Sequence, residues 1–304
     1  MDVVSDAISA VRLGRPSSTR LRVNGRWCAR IAPYEGAGFH VVLSGSCWML
    51  PDLPYTGPGI HLNRGDVVLL AHGSGHVIAD RPADRATVER AVDFERWSPA
   101  ALAGSPPETE LLCGKYRLDR RHTHPLIAEL PDVVHIPSGP GRDSGLCAAV
   151  GLLEHEVRGG HLGSAIAVPS LLDLLLVHLV RAWMADSTTS PWPAALHDPA
   201  VAAALHALHQ DPARRWSNDS LAAQVGVSRA TLARRFTALV GRAPMTYLTW
   251  WRLTRAAALL RTTPDALDSI AQRVGYSTPY ALSHAFSRQY GTTPGRYRAA
   301  AVTA

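Results

Sequence analysis

The sequence predicts an α+β protein in three parts: a strand-rich N-terminal domain (residues 1–136), a helical connector with linker (137–194) and an all-α C-terminal domain (195–304). Three observations carry this. Up to about residue 136, short apolar runs alternate with Gly, Pro and Asp punctuation, the pattern of a small all-β barrel or sandwich. After IPSGPGRDSG (136–145) the apolar spacing becomes helical. Finally, LAAQVGVS (221–228) recurs as IAQRVGYS (270–277), an internal repeat inside a helical region. At 304 residues the chain exceeds one ordinary core, so more than one domain is expected.

Strands are predicted at 39–43, 47–50, 59–62, 67–70, 76–79 and 110–118. The charged, Pro-rich stretch 80–109 reads as an inserted loop. Helices follow at 146–158 and 169–184; the second, nearly apolar all round, predicts burial on several sides, at a domain or subunit interface. DSTTSPWPA (186–194) reads as a linker. The longest apolar run, 168–180, contains Asp173 and His178 and falls short of the roughly 20 residues of a membrane span. No apolar signal-peptide region opens the chain, and four cysteines without C-x-x-C spacing suit a reducing cytoplasm.

Charge is unevenly placed. Residues 195–304 hold 13 Arg against 5 Asp, while the whole chain carries only +6, so the body is slightly acidic. A basic third on an acidic body implies a polyanionic partner or a solvated basic face. The repeat decides between them. Each copy has a small helical residue (Ala222, Ala271) that lets a second helix cross closely, a glycine four residues on (Gly226, Gly275) for a left-handed turn, and a serine two further on, in the region that caps the next helix. This is a helix-turn-helix unit twice over. Between the copies, 244–261 reads as one helix holding two recognition helices about one duplex turn, roughly 34 Å, apart.

These segments, LAAQVGVSRATLARRF, the P-x-x-Y-L-x-x-x-R-L-x-x-A-x-x-L-L-R connector and the G-x-T-P-x-x-Y-R ending (Gly291 to Arg298), resemble the DNA-binding domain of the AraC/XylS family of bacterial transcriptional regulators. The resemblance implies double-stranded promoter DNA and RNA polymerase as partners, and usually activation. Carried over by position, the first reading face is Arg229, Ala230, Thr231, Ala233 and Arg234, and the second Pro279, Tyr280, Ser283 and His284. Arg234 has the fork that reads guanine bidentately, and the two alanines offer methyl contacts. Pro279 stands where many relatives carry a polar reader. Arg235, Arg252, Arg255, Arg288 and Arg296 are candidates for phosphate or for plain solvation.

In the strand-rich part, Gly65 to His76 resembles the second cupin motif with Ala71 in place of its proline, and 39–50 resembles the strand pair ending the first. The region is similar to the cupin-type sensor of one branch of the AraC/XylS family, so the fold implied is a cupin-like β-barrel. The H-x-H pair and glutamate of metal-enzyme cupins are absent. What remains is a candidate ligand set for zinc or another thiophilic ion: His40, Cys47, His76 and Cys113. Two other readings stand beside it: inert packing of small core cysteines, and a redox-responsive thiol, since relatives in this branch respond to oxidants through cysteine and Cys113 in LLCG matches their pattern. His72, His122, His124 and His135 are expected at the surface or in loops.

The sequence thus predicts a cytoplasmic, homodimeric, non-enzymatic regulator whose cupin-like domain senses a signal, a metal ion or an oxidant. Its rivals are a metal-dependent cupin enzyme fused to a DNA-binding domain, which the missing first-motif ligands disfavour, and a DNA-repair methyl acceptor, which the sparse cysteines disfavour.

Overall fold

The computed structural model describes residues 2–52, 59–96, 107–118, 124–139, 143–187 and 190–302. Two compact units divide the chain: residues 12–121 with 130–186, and residues 1–11 with 122–129 and 187–304. This differs from edges at 136 and 194. The connector helices join the strands, and two short N-terminal pieces join the helical unit.

The first unit is built on two five-stranded sheets. One runs β1 (Ser17–Val23), β9 (Thr109–Tyr116), β3 (Ala37–Ser44), β6 (Val67–Leu70), β10 (Val134–Ile136), antiparallel throughout. The other runs β5 (Ile60–Asn63), β4 (Ser46–Pro51), β7 (His76–Ala79), β2 (Cys28–Ile31), β8 (Val92–Asp93), with only β2 and β8 parallel. Strands β6 and β7 fall where the sequence puts them. Strands β1, β2, β8 and β10 escape it: β1 buries only Leu21 and Val23 of its seven residues, β2 has just two wholly apolar side chains, Ala29 and Ile31, and β8 and β10 are too short for alternation to register. Leu21, Trp27, Val42, Met49, Leu62, Ile78 and Leu111 fill one core, each aliphatic worth about 1.5–3 kcal/mol when fully buried. The stretch expected as a loop at 80–109 contains a short helix, α2 (Arg85–Glu89), capped by Asp84, and β8; residues 97–106 lie outside the described part.

Helices α4 (Ser144–Gly159) and α5 (Ser164–Asp186) pack on each other, and the Tyr116 hydroxyl donates to the Leu172 carbonyl at 2.6 Å, fastening α5 to β9. Asp143 caps α4 by accepting from the Leu146 N–H. Leu172, Leu175, Leu176, Leu179, Val180 and Trp183 form the buried stripe of α5. All-round burial is not found: Ile166 is 68% exposed and Leu174 41%, beside exposed Leu152 and Leu162. By length and apolarity α5 would pass for a membrane span. Its packed face and the Asp173 pair with Arg12 at 2.7 Å are those of a helix lying on a globular core.

The second unit holds α1 (Val3–Val11), α3 (Pro125–Ala128), α6 (Pro191–His197) and α7 (Pro199–Gln210), followed by α8 (Asn218–Gln224), α9 (Arg229–Val240), α10 (Pro244–Thr262), α11 (Leu267–Val274), α12 (Pro279–Tyr290) and α13 (Pro294–Val302). The expected linker is therefore corrected: Pro191 starts a helix at a position where its missing N–H costs nothing, and Trp192 is fully buried.

Candidate functional site

In the first repeat, Ser217 and Ser220 form a reciprocal capping box on α8, Ala222 is buried, and Gly226 turns the chain at φ 72°. Ser228 accepts from the Thr231 N–H to start α9, and Leu232, Phe236 and Val240 face the core. In the second, Gly275 turns at φ 86°, and a Cβ there would sit 2.8 Å from the Ala213 Cα. Here the cap is Thr278 rather than Ser277, and Leu282 with Phe286 is core. Between the repeats α10 spans 19 residues, about 28 Å at 1.5 Å per residue, with Tyr247, Leu248, Trp251 and Leu253 buried.

On α9, Arg229, Ala230, Arg234 and Arg235 are exposed and Thr231 and Ala233 half-buried; on α12, Tyr280, His284 and Arg288 are exposed and Pro279 and Ser283 half-buried. Arg229 lies 3.6 Å from Asp219, and Arg235 3.5 Å from Asp198. Each guanidinium is largely exposed and each contact long, so these pairs contribute little and either side chain can turn to another acceptor at small cost. Arg252 is corrected: half-buried, it donates to the carbonyls of Pro212 at 2.7 Å and Arg214 at 2.9 Å and ties α10 to that turn. Arg298 of the specific ending likewise donates to the Leu260 and Asp265 carbonyls, and Arg261 donates to the Tyr297 hydroxyl. That motif clamps α13 onto α10.

The cupin-like unit brings three of the four predicted ligand residues together. His40 pairs with Cys113 in the register of β3 and β9, and reaches His76 of the other sheet. His40 Nδ1 lies 3.0 Å from Cys113 Sγ, His40 Nε2 2.7 Å from His76 Nε2, and His76 Nδ1 3.0 Å from the Ser74 carbonyl. A carbonyl only accepts, so His76 Nδ1 carries a proton and its Nε2 accepts from His40 Nε2–H. His40 Nδ1 then accepts the Cys113 S–H, a fully directed relay. Burial, then the neighbouring His76, holds His40 well below the usual histidine range. Burial lowers His76 to about 4, partly offset by the Ser74 carbonyl and Asp52. Burial, then Cys47, raises the Cys113 thiol, and burial, then Asp66, raises Cys47 to about 12. Cys47 shares the core with Cys113 but is outside the relay.

This arrangement does not fit one tetrahedral ion. Cys113 and His76 sit on opposite edges of the His40 ring, and one metal cannot face both. Among the described residues no three His, Cys, Asp or Glu side chains are placed to hold a metal. The relay instead floors a cavity of about 390 Å³, walled by Ile31, Tyr34 and Phe94 and with Lys115 among its lining residues.

Of the histidines expected outside, His135 pairs with Asp66 and His72 with the Leu130 carbonyl, both half-buried, and His122 lies outside the described part. His124 is the correction: it is wholly buried in the helical unit and caps α3 through its Nδ1, which accepts from the Leu126 N–H. In sequence, histidine before proline reads as a loop, and its Trp192, Tyr247 and Trp250 neighbours come from distant segments.

Comparison with known proteins agrees with this architecture. Residues 2–185 match the cupin family and residues 221–300 the helix-turn-helix domain family. The chain is 35% identical, over 98% of both chains, to an AraC-like transcription regulator of Streptomyces lividans. It is 27% identical, over 98% of this chain and 99% of the other, to the HTH-type transcriptional regulator AlkR of Acinetobacter baylyi. Among solved structures, the DNA-binding domain of AdpA in complex with target DNA is 38% identical over 34% of this chain and 92% of that one, with a TM-score of 0.32. The chain belongs to the AraC family of DNA-binding transcription regulators, with a cupin N-terminal domain and a helix-turn-helix C-terminal domain.

Proposed function

We propose that this regulator responds to a thiol-directed signal received at Cys113, and that it acts by binding rather than by turnover. The observation that carries this is the directed Cys113–His40–His76 relay flooring a cavity. A buried polar chain costs stability unless every member is satisfied, and here each proton has an acceptor. An oxidant is the signal that this arrangement supports over a metal ion, because the opposed edges of His40 cannot chelate one ion. Coupling of about 1–3 kcal/mol between cavity and DNA-competent state suffices for regulation.

Double-stranded promoter DNA is the partner of the faces carrying Arg229, Ala230, Thr231, Ala233, Arg234, Pro279, Tyr280, Ser283 and His284, with Arg235 and Arg288 at phosphates and RNA polymerase recruited beside them. The exposed Ile166 and Leu174 on α5 support a homodimer through that face. The protein is expected to work in the cytoplasm.

Thiol titration and elemental analysis of freshly purified protein, followed by operator binding before and after mild oxidation, test the reading. Affinity should change on oxidation and the change should vanish in Cys113→Ser. Stoichiometric zinc would replace it with the metal reading, and Fe(II)-dependent turnover with the enzyme reading.

A further inference from the structure

We propose that the cavity over Cys113 captures a small conjugated carbonyl compound, an enone, by reversible addition of the Cys113 thiol. This rests on the reading of that cavity as the sensor of a thiol-directed signal, and adds to the oxidant an electrophile that the cavity itself can seat.

Among the described residues the cavity lining brings one thiol, Cys113, together with the imidazoles of His40 and His76, the carboxylates of Asp93 and Glu95, and one cation, Lys115. Cys113 and its base His40 are in hydrogen-bond contact at 3.0 Å, and the base is oriented by a third group, His76, itself fixed by the Ser74 carbonyl. Nucleophile, base and orienter in series are the arrangement that activates a thiol. The cation is Lys115, the single lysine of the chain, where every other basic residue is arginine. It stands two residues beyond Cys113 on β9, on the same face and about 7 Å along the strand. Its ammonium lies 4.7 Å over the Tyr34 ring. That ring lies against β3 because residue 38 is glycine: a Cβ there would meet the Tyr34 hydroxyl oxygen. Tyr34, Ile31 and Phe94 supply the apolar wall for a flat ligand.

Addition to a conjugated carbonyl uses this inventory and nothing more. The Cys113 sulfur forms a bond to the β-carbon as its proton passes to His40 Nδ1. The C=C electrons shift onto the carbonyl oxygen, giving an enolate beside the Lys115 ammonium. The proton then returns from His40 to the α-carbon. The sum is S–H added across C=C, with no leaving group, water or oxidant required, and elimination reverses it. Because the thiol rests protonated and buried, reaction waits for a ligand seated in the cavity.

The experiment uses the full-length protein in a Cys147→Ser background, since Cys147 is the exposed thiol, with 2-cyclohexen-1-one as probe. Intact-mass and peptide mapping should find one adduct per chain, on Cys113, and none in Cys113→Ser. His40→Ala should slow addition about a hundredfold. Lys115→Met should slow cyclohexenone by a similar factor, while leaving the rate with iodoacetamide, which forms no enolate, unchanged. Thermal unfolding confirms that each variant is folded. A folded protein labelled at Cys28 but not at Cys113 overturns the proposal, as does a Lys115→Met variant that slows both reagents equally. An adduct at Cys113 that leaves operator affinity unchanged would uphold the capture chemistry and overturn the sensor reading.

Discussion

The Tyr247 hydroxyl donates to His209 Nε2 at 2.7 Å, and this bond is the centre of a chain of four buried groups inside the DNA-binding unit. His209 Nδ1–H donates to Asp6 Oδ2 at 3.0 Å, and His124 Nε2–H donates to the Tyr247 oxygen at 3.1 Å. The proton directions follow from the ends, since His124 Nδ1 accepts from a backbone N–H and a carboxylate accepts. Asp6 comes from α1, His124 from the segment preceding α3, His209 from α7 and Tyr247 from α10. The chain thereby stitches the first helix of the protein and residues 124–129 to the long helix between the two repeats.

Tyr247→Phe keeps the ring and removes the hydroxyl, leaving His209 Nε2 and His124 Nε2–H buried without a partner. We expect about 1–3 kcal/mol of destabilisation, read as a lower midpoint in urea with unchanged m-value. A shift within 0.3 kcal/mol would mean that water replaces the hydroxyl.

The same network sets a pH dependence. Burial, then His209 and Arg242, lowers His124 well below 6.5, and burial with smaller contributions from Arg255 and His206 lowers His209 despite the favourable Asp6 contact. The unfolded chain therefore binds more protons than the folded one once pH falls below about 6.5, so stability is full above that value and declines on acidification. Denaturation midpoints between pH 8 and pH 5 measure it. His124→Phe should flatten the decline, and an unchanged slope would assign it to other groups.

Leu174 and Leu175 are neighbours on α5 with opposite fates. Leu175 is fully buried and Leu174 is 41% exposed. Leu175→Glu should therefore fail to fold or lose several kcal/mol. Ile166→Glu with Leu174→Glu should keep the fold and, if α5 mediates the dimer, halve the mass seen in sedimentation. Unchanged mass in that double variant would place the dimer contact elsewhere.

Arg234→Ala should cost about 1–3 kcal/mol of operator affinity and relax one base position, whereas Arg235→Ala should weaken all sequences alike and reduce the salt slope by about 1. Binding measured across an operator library and a salt series separates the two roles. Uniform weakening by Arg234→Ala would make it a phosphate contact.

A fragment beginning at residue 187 lacks α1 and α3, so His209 and Tyr247 lose Asp6 and His124. It should bind DNA with a steep salt response and unfold at a lower temperature than a fragment supplied with both segments. Equal melting temperatures would show that the stitch contributes nothing to this unit.

The sequence by itself determined the DNA-binding half. A repeat of small residue, glycine and cap is a local code, in which φ-positive turns, N-caps and helical spacing are set within a few residues, and Gly226, Ser228 and Gly275 behave as written. Strands β6 and β7, bounded by glycine turns, were legible for the same reason. Only the tertiary structure decided the rest. The aromatic rings that bury His124, and the Tyr247 hydroxyl it donates to, lie more than sixty residues away, so nothing local distinguishes it from a loop histidine. Periodicity could not say which face of α5 is covered, because apolar composition records capacity for burial and not a neighbour. Of the candidate set His40, Cys47, His76 and Cys113, His40 touches both Cys113 and His76, and Cys47 lies in the same core. Ring orientation, fixed by the Ser74 carbonyl through His76, turned His40, His76 and Cys113 into a directed relay.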